Sequence, residues 1–127
     1  MSDPVSILVV DDNPPMVKTL ADILTLKGYA VYAAYSGAEA LEVLQQQNID
    51  ILLTDVVMPD MDGVTLYRQV KQNHPRMVTF LMTAYSADEL IHQGMAEGIR
   101  TILTKPLDIN LFLALVQAVE TAYFRRQ

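Results

Sequence analysis

The chain has 127 residues, of which 51% are apolar and 19% charged, with a net charge of −6 and no cysteine. This length is typical of one domain, and the composition is that of a globular protein rather than a disordered segment. The acidic balance excludes broad binding to a nucleic acid backbone, and the lack of cysteine excludes disulfides and cysteine metal sites. No apolar run approaches the roughly 18 residues of a membrane span, so we expect a cytoplasmic protein without membrane contact.

Short, continuously apolar runs alternate with amphipathic segments along the chain. Asn13 is a predicted helix N-cap, Ser36 with Glu39 resembles a capping box, Asp62 caps a third helix, and Gly28 ends the first. Strands that are apolar on both faces are typical of a parallel sheet covered by helices on both sides. The pattern therefore predicts an open, doubly wound α/β fold. The predicted strands cover residues 5–10, 29–34, 49–54, 77–82 and 100–104, and the predicted helices 14–27, 36–46, 62–73, 86–97 and 108 onward.

Polar side chains follow four of these strands. Asp11 and Asp12 follow the first strand, Asp55 the third, Thr83 the fourth and Lys105 the fifth. Taken singly, each has an ordinary explanation as a helix cap, a strand-end hydroxyl or a surface lysine. The carboxyl ends of parallel strands share one edge of the sheet, so we expect all of them to lie together there.

Three carboxylates in one crevice require a counter-ion, because two of them about 4 Å apart repel by about 4 kcal/mol at an effective dielectric of about 20. Oxygen ligands without histidine or cysteine suit a hard divalent ion, and Mg²⁺ fits a site of few carboxylates. A carboxylate beside Mg²⁺ and the Lys105 ammonium is well placed to attack phosphorus and form an acyl phosphate. The hydroxyl of Thr83 would donate to the phosphoryl group.

Four segments, ILVVDDNP, ILLTDVVMPDMDG, LMTAYS and ILTKPL, together resemble the receiver domain of two-component response regulators. The resemblance spans about residues 5–122. It implies a flavodoxin-like fold of five βα units with strand order 2-1-3-4-5, in one receiver domain over residues 1–127. Residues 123–127 would be a helix end or the start of a linker.

The resemblance also implies roles for the strand-end carboxylates. Asp55 matches the phosphoacceptor of the family. Asp11 and Asp12 match the acidic pair that holds Mg²⁺, with Asp12 as the direct ligand and Asp11 acting mostly through water. The backbone carbonyl of Val57 matches the third ligand from the protein, and Gly63 matches a glycine that lets the loop turn tightly.

The remaining matches concern the switch. Thr83 matches the family's switch hydroxyl and Lys105 its lysine, and the peptide bond before Pro106 is expected to be cis. The family often has an aromatic residue where this chain has Ile102, so we do not expect an aromatic ring to swing inward. The signal would instead pass through Thr83 and a loop shift, with Tyr85 as a further residue of the switch.

Val57 and Tyr85 occupy the positions that tune the lifetime of the phosphoryl group in the family. Both are bulky, and neither carries a carboxylate or amide that would orient an attacking water. We therefore expect spontaneous dephosphorylation to be slow.

The resemblance implies a switch rather than a turnover enzyme. Its phosphoryl donor would be a histidine kinase or phosphotransfer protein, or a small acyl phosphate, and this domain alone would not bind nucleic acid. The last helix is apolar nearly all round, which either reflects packing or predicts a face, with helix four, for a partner or a homodimer. The kinase, the output and any further domain are left open.

Other classes of phosphate and metal protein fit less well. There is no P-loop motif, and a dehalogenase-like phosphatase would require an aspartate where Val57 stands. Asp60, Asp62 and Gly63 suggest a calcium loop. Aligned on Gly63, however, such a loop would have Met58 and Gln69 at its first and last ligand positions, where carboxylates are needed. A flavodoxin-like redox module shares the topology but does not need the acid cluster. The alternative that stays open is a phospho-aspartyl phosphatase of small phosphoesters.

Overall fold

Five parallel strands form the central sheet, in the order β2-β1-β3-β4-β5. The computed structural model describes residues 4–84 and 89–124. The open, doubly wound fold predicted from the alternating pattern is confirmed, and so is the strand order that the family resemblance implied. The elements are β1 Ser6–Val10, α1 Pro14–Leu26, β2 Ala30–Ala34, α2 Gly37–Gln46, β3 Ile51–Asp55, α3 Gly63–Val70, β4 Val78–Thr83, α4 Glu89–Glu97, β5 Thr101–Thr104 and α5 Ile109–Val119, followed by a π-helical turn at Glu120–Phe124.

Both faces of the sheet are buried, which explains why its central strands are apolar throughout. In β1, Ile7 and Val9 enter a core shared with α1 and α5, whereas Leu8 and Val10 enter a second core shared with α2 and α3. A third cluster lies between the sheet, α3 and α4. The alternation follows from the two-residue period of a strand. Helices therefore cover the sheet on both sides and leave its carboxyl edge open.

Side-chain caps fix the starts of the first three helices. Asn13 Oδ1 accepts a hydrogen bond from the backbone N–H of Met16, and Asp62 Oδ1 accepts one from that of Thr65. Ser36 Oγ accepts from the backbone N–H of Glu39, and Glu39 Oε1 accepts from that of Tyr35, the residue before the cap. These predicted caps are confirmed.

The end of the third helix differs from the prediction. The third helix is predicted to reach residue 73 but ends at Val70, and residues 71–73 form turns. The His74 N–H still donates to the Val70 carbonyl at 3.0 Å, so these residues make a last irregular turn before Pro75, where a regular helix cannot continue. The fourth helix is described from Glu89. Its predicted start at 86 lies outside the described residues.

Within the described part of the chain, no helix combines the length and apolar character that crossing a membrane would require.

Candidate functional site

Three carboxylates meet at the carboxyl edge of the sheet. Asp11 follows β1 directly, Asp12 is the next residue, and Asp55 is the last residue of β3. One oxygen from each lies within 4.8 Å of the others. The structure thus brings together the three acidic residues that the strand-end argument predicted to be neighbours. Asp11 and Asp55 are buried and Asp12 is exposed, so the crevice opens to solvent on the Asp12 side.

Lys105 bridges the two buried carboxylates. Its Nζ donates to Oδ2 of Asp11 at 2.5 Å and to Oδ2 of Asp55 at 3.0 Å. The side chains of Asp11 and Asp55 are 1% and 9% exposed, so each would be costly to bury as an ion without this partner. Burial alone would lower the pKa of Lys105, but the hydrogen bonds that it donates to Asp11 and then to Asp55 outweigh burial and raise the pKa. The lysine is therefore a fixed positive charge at neutral pH.

The second oxygen of each buried carboxylate faces the protein backbone. Asp11 Oδ1 accepts from the Asn13 N–H at 3.1 Å. Asp55 Oδ1 accepts from the Val57 N–H at 3.4 Å, a long contact for an N–H donor. Asp11 is thus held more firmly than Asp55, whose Oδ1 accepts only this long hydrogen bond among the described contacts.

Gly63 allows α3 to begin directly against the end of β3. A Cβ atom at this position would lie 2.3 Å from the carbonyl oxygen of Asp55, closer than any side chain can approach. The Gly63 N–H donates to the carbonyl of Val56 at 2.8 Å, and Thr54 Oγ1 donates to the carbonyl of Asp55 at 3.0 Å. These contacts fix the backbone that carries the Asp55 carboxylate.

Of the residues predicted to form the switch, Thr83, Ile102 and Tyr85, the two that the structure describes do not form a compact cluster like that of the three carboxylates. Thr83 is buried at the end of β4, and its carbonyl accepts from the Lys105 N–H at 2.8 Å. Ile102 is half-buried and packs against the cluster between the sheet, α3 and α4. The Lys105–Pro106 peptide bond is cis. Tyr85 lies outside the described residues.

Val57 is the exposed apolar residue of the site. Its side chain is 56% exposed, two residues after Asp55 in the loop between β3 and α3. Within the described residues, no ionisable side chain of this loop joins the three clustered carboxylates. The site therefore presents oxygen ligands, one ammonium and one apolar side chain, a donor set that fits a hard divalent cation.

Asp60 has a role that the sequence did not reveal. Its motif offered it only as part of a rejected calcium loop, yet its carboxylate accepts hydrogen bonds from the N–H groups of Gly37 and Ala38. A remote cap of this kind leaves no signal in local sequence spacing, because the partners are more than twenty residues apart. The sequence feature that accompanies this contact is Gly37, the first residue of α2, where a side chain would collide with Met61 of the same loop.

The fold and this acidic crevice are those of a phosphoryl-accepting signalling module, and sequence similarity agrees. Residues 7–117 match the response regulator receiver domain family, and the chain belongs to this family. It is 36% identical over 119 residues to the transcriptional regulatory protein GlrR of Escherichia coli (strain K12), covering 94% of this chain and 26% of that protein. It is 38% identical over 108 residues to ZraR of the same strain, covering 85% of this chain and 24% of that protein.

Structural similarity leads to the same family. A two-component response regulator from Clostridium difficile superposes with a TM-score of 0.88 at 25% identity, covering 95% of this chain and 99% of that one. The protein is thus a receiver domain of two-component response regulators, as the resemblance implied. Nothing in these similarities favours the phosphatase alternative. The chain spans about a quarter of the length of GlrR and ZraR.

Proposed function

We propose that this receiver domain is switched by phosphorylation of Asp55. The observation that carries the proposal is the pair of hydrogen bonds from Lys105 to Asp11 and Asp55. It gives the Asp55 carboxylate a permanent cation on Oδ2, whereas its Oδ1 is held only by the long hydrogen bond from the Val57 N–H at 3.4 Å. Asp11 is the less suitable nucleophile because it is almost fully enclosed. Asp12 is less suitable because it is exposed and, among the described residues, no hydrogen bond or ion pair orients its side chain.

In the proposed reaction, a carboxylate oxygen of Asp55 attacks the phosphorus of the donor and forms a P–O bond. The bond between phosphorus and the donor atom breaks, and its electron pair leaves on the imidazole nitrogen of a phosphohistidine or on the carboxyl oxygen of a small acyl phosphate. The product is an acyl phosphate on Asp55. Lys105 is within reach to pair with the added phosphoryl oxygens, and Thr83 stands at the end of the neighbouring strand as the hydroxyl that would donate to them.

The donor set suits Mg²⁺, which Asp12, Asp55 and the Val57 carbonyl would hold directly and Asp11 mostly through water. When bound, this ion would neutralise charge on the transferring phosphoryl group. Lys105 and backbone N–H groups hold the carboxylates of Asp11 and Asp55 in the orientation in which they would face the ion. Asp12 remains exposed and accessible to a hydrated cation.

The result of the reaction is a changed conformation rather than a released product, so we propose no turnover activity. A histidine kinase or phosphotransfer protein in the cytoplasm would supply the phosphoryl group to the single domain formed by residues 1–127. Thr83, Ile102 and Tyr85 would transmit the change. The face formed by α4, β5 and α5 would respond to the conformational change by binding a partner or by homodimerisation. Met95 and Leu111 are exposed on this face.

Intact mass measured after incubation with acetyl phosphate tests the proposal. The wild type should gain one phosphoryl group only when Mg²⁺ is present, and Asp55→Asn should gain none. Asp22→Asn is the matched control, because it removes an exposed carboxylate that pairs with Lys18 on the surface of α1, and it should behave as the wild type. An adduct on the Asp55→Asn protein would assign the nucleophile elsewhere. Repeated release of phosphate from a generic phosphomonoester would favour the phosphatase alternative.

A further inference from the structure

The start of α2 is capped twice, once by a neighbour and once by a distant residue. Ser36 Oγ accepts from the Glu39 N–H at 3.1 Å, which is an ordinary local cap. Asp60 Oδ1 accepts from the Gly37 N–H at 3.1 Å and Oδ2 from the Ala38 N–H at 2.9 Å. Both carboxylate oxygens of Asp60 therefore accept hydrogen bonds from the backbone of α2.

Packing reinforces this contact. A Cβ atom at Gly37 would lie 2.3 Å from Cγ and 2.7 Å from Sδ of Met61, so the loop between β3 and α3 lies directly on the backbone of α2. Met58, in the same loop, is buried in the core between the sheet, α2 and α3. At its far end the loop is closed by the hydrogen bond from Gly63 to Val56. The loop is thus attached to α2 as well as to its own strand and helix.

The charge of Asp60 strengthens the attachment. Hydrogen bonds from the backbone N–H groups of Ala38 and Gly37 lower the pKa of Asp60 below its ordinary value of 3.8, and burial opposes them only in part. The carboxylate is therefore ionised at neutral pH. A negative charge at the N-terminus of a helix also interacts favourably with the helix dipole.

Between Asp55 and Asp60 lies Val57, whose carbonyl is the ligand expected to complete the cation site. Local contacts hold this peptide loosely, because the Val57 N–H reaches Asp55 only at 3.4 Å and the Val57 side chain is exposed. The next firm anchors along the loop are the burial of Met58 and the two hydrogen bonds of Asp60. The orientation of the Val57 carbonyl thus depends on contacts made at α2.

We propose that Asp60 is a positioning residue for the cation and phosphoryl site, because it holds the β3–α3 loop, and with it the Val57 carbonyl, against the start of α2. This inference rests on the proposed function of Asp55 and Mg²⁺. It also implies that cation binding and the α2 contact stabilise each other, since coupling between two sites is reciprocal.

Titration with Mg²⁺ alone, followed by calorimetry, tests the inference. Asp60→Ala should raise the Mg²⁺ dissociation constant by about tenfold, as for other residues that orient metal ligands. Asp60→Asn retains one carbonyl oxygen as an acceptor and should fall between the wild type and Asp60→Ala. Ser36→Ala is the matched control, because it removes a cap from the same helix without touching the loop, and it should leave the constant unchanged.

Amide hydrogen exchange gives a second readout that does not depend on phosphorylation. Adding Mg²⁺ should increase the protection of the Gly37 and Ala38 N–H groups in the wild type and in Ser36→Ala. It should not do so in Asp60→Ala, where the acceptor is missing. If Asp60→Ala fails to fold, as judged by circular dichroism, Asp60→Asn carries both measurements.

The outcomes separate the inference from the function on which it rests. Equal weakening of Mg²⁺ binding by Ser36→Ala and Asp60→Ala would overturn the inference, because general destabilisation of α2 would then explain both. Unchanged binding in Asp60→Ala, with a wild type that is phosphorylated normally, would overturn the inference alone. A wild type that neither binds Mg²⁺ nor accepts a phosphoryl group would remove the proposed function and the inference together.

Discussion

The Lys105 ammonium donates to Oδ2 of Asp11 at 2.5 Å, although the two residues are 94 positions apart in the chain. Lys105 follows the edge strand β5, and Asp11 follows β1, with β4 and β3 between them in the sheet. The long lysine stem therefore crosses the carboxyl edge and passes Asp55 at 3.0 Å on the way. One flexible cation thereby neutralises two carboxylates of the proposed cation site, of which Asp55 would bind the ion directly and Asp11 mostly through water.

Because Lys105 and a divalent cation would neutralise the same crevice, Lys105→Met should have opposite effects on Mg²⁺ affinity and on the rate of phosphorylation. The variant keeps most of the side-chain volume and removes the charge, so the crevice becomes more negative. Mg²⁺ should bind about tenfold more tightly, which corresponds to about 1.4 kcal/mol. Phosphorylation by acetyl phosphate should slow by at least about tenfold, since the cation that faces the phosphoryl oxygens is lost. Calorimetry with Mg²⁺ and initial rates from intact mass measure the two effects.

Lys18→Met is the control for this change, because Lys18 is exposed and pairs with Asp22 on the surface of α1. It should alter neither quantity. Weaker Mg²⁺ binding in Lys105→Met would mean that the lysine organises the carboxylates for the metal instead of competing with it.

Much of this arrangement was predictable from the sequence, for a physical reason. Apolar strands buried on both faces imply a parallel sheet, and in such a sheet Asp11, Asp55 and Lys105 must emerge at one edge. The contact of Asp60 with α2 was not predictable, because its partners are backbone N–H groups that carry no residue identity. The early end of α3 was not predictable either, because apolar periodicity does not distinguish a regular helix from the turns at residues 71–73.

The start of α3 offers a test of how tightly the loop is built. Gly63→Ala would place a methyl group 2.3 Å from the carbonyl oxygen of Asp55, a backbone atom that cannot move without shifting the site. We expect a loss of about 1–3 kcal/mol in the free energy of unfolding, typical of overpacking, together with weaker Mg²⁺ binding. Urea unfolding followed by circular dichroism measures the first and calorimetry the second.

Gly94→Ala is the matched comparison within α4. Its added methyl group would meet the terminal Cδ1 of Ile99 at 2.7 Å, an atom that can move by side-chain rotation. Alanine also favours a helix interior over glycine, so this variant should lose much less stability than Gly63→Ala. Equal losses would show that the close approach at Asp55 has no special cost.

The contact between α3 and α4 predicts a pH dependence. Arg68 donates to both carboxylate oxygens of Glu97, and Tyr67 Oη donates to the Glu97 carbonyl at 2.8 Å. The hydrogen bond from Arg68 is the main cause that lowers the pKa of Glu97 from its ordinary value of 4.5. A lowered folded-state pKa contributes stability that is present above about pH 4.5 and is lost as the pH falls through the folded value.

Glu97→Gln should therefore be less stable than the wild type at neutral pH, and the difference should vanish as the pH falls below that of the folded Glu97. The effect should be small and should shrink with added salt, because the pair is partly exposed. Urea midpoints measured between about pH 7 and about pH 3 give the comparison. In an Arg68→Met background, Glu97→Gln should have a smaller effect, because the weaker contact of Glu97 with Lys71 at 3.4 Å remains. A difference that persists at low pH would assign the effect to packing rather than charge.

Val57 provides the test of the phosphoryl lifetime. Its exposed side chain lies two residues from Asp55, where it can shield the acyl phosphate without orienting a water molecule. Val57→Asn replaces it by an amide that can hold a water near the phosphorus, so the decay of phosphorylated protein should accelerate by about tenfold, or about 1.4 kcal/mol of barrier. Val57→Ala opens the same space without a polar group and should have a smaller effect. Decay is followed by intact mass after the acyl phosphate is removed. Equal decay rates in the wild type and both variants would show that this side chain does not control hydrolysis.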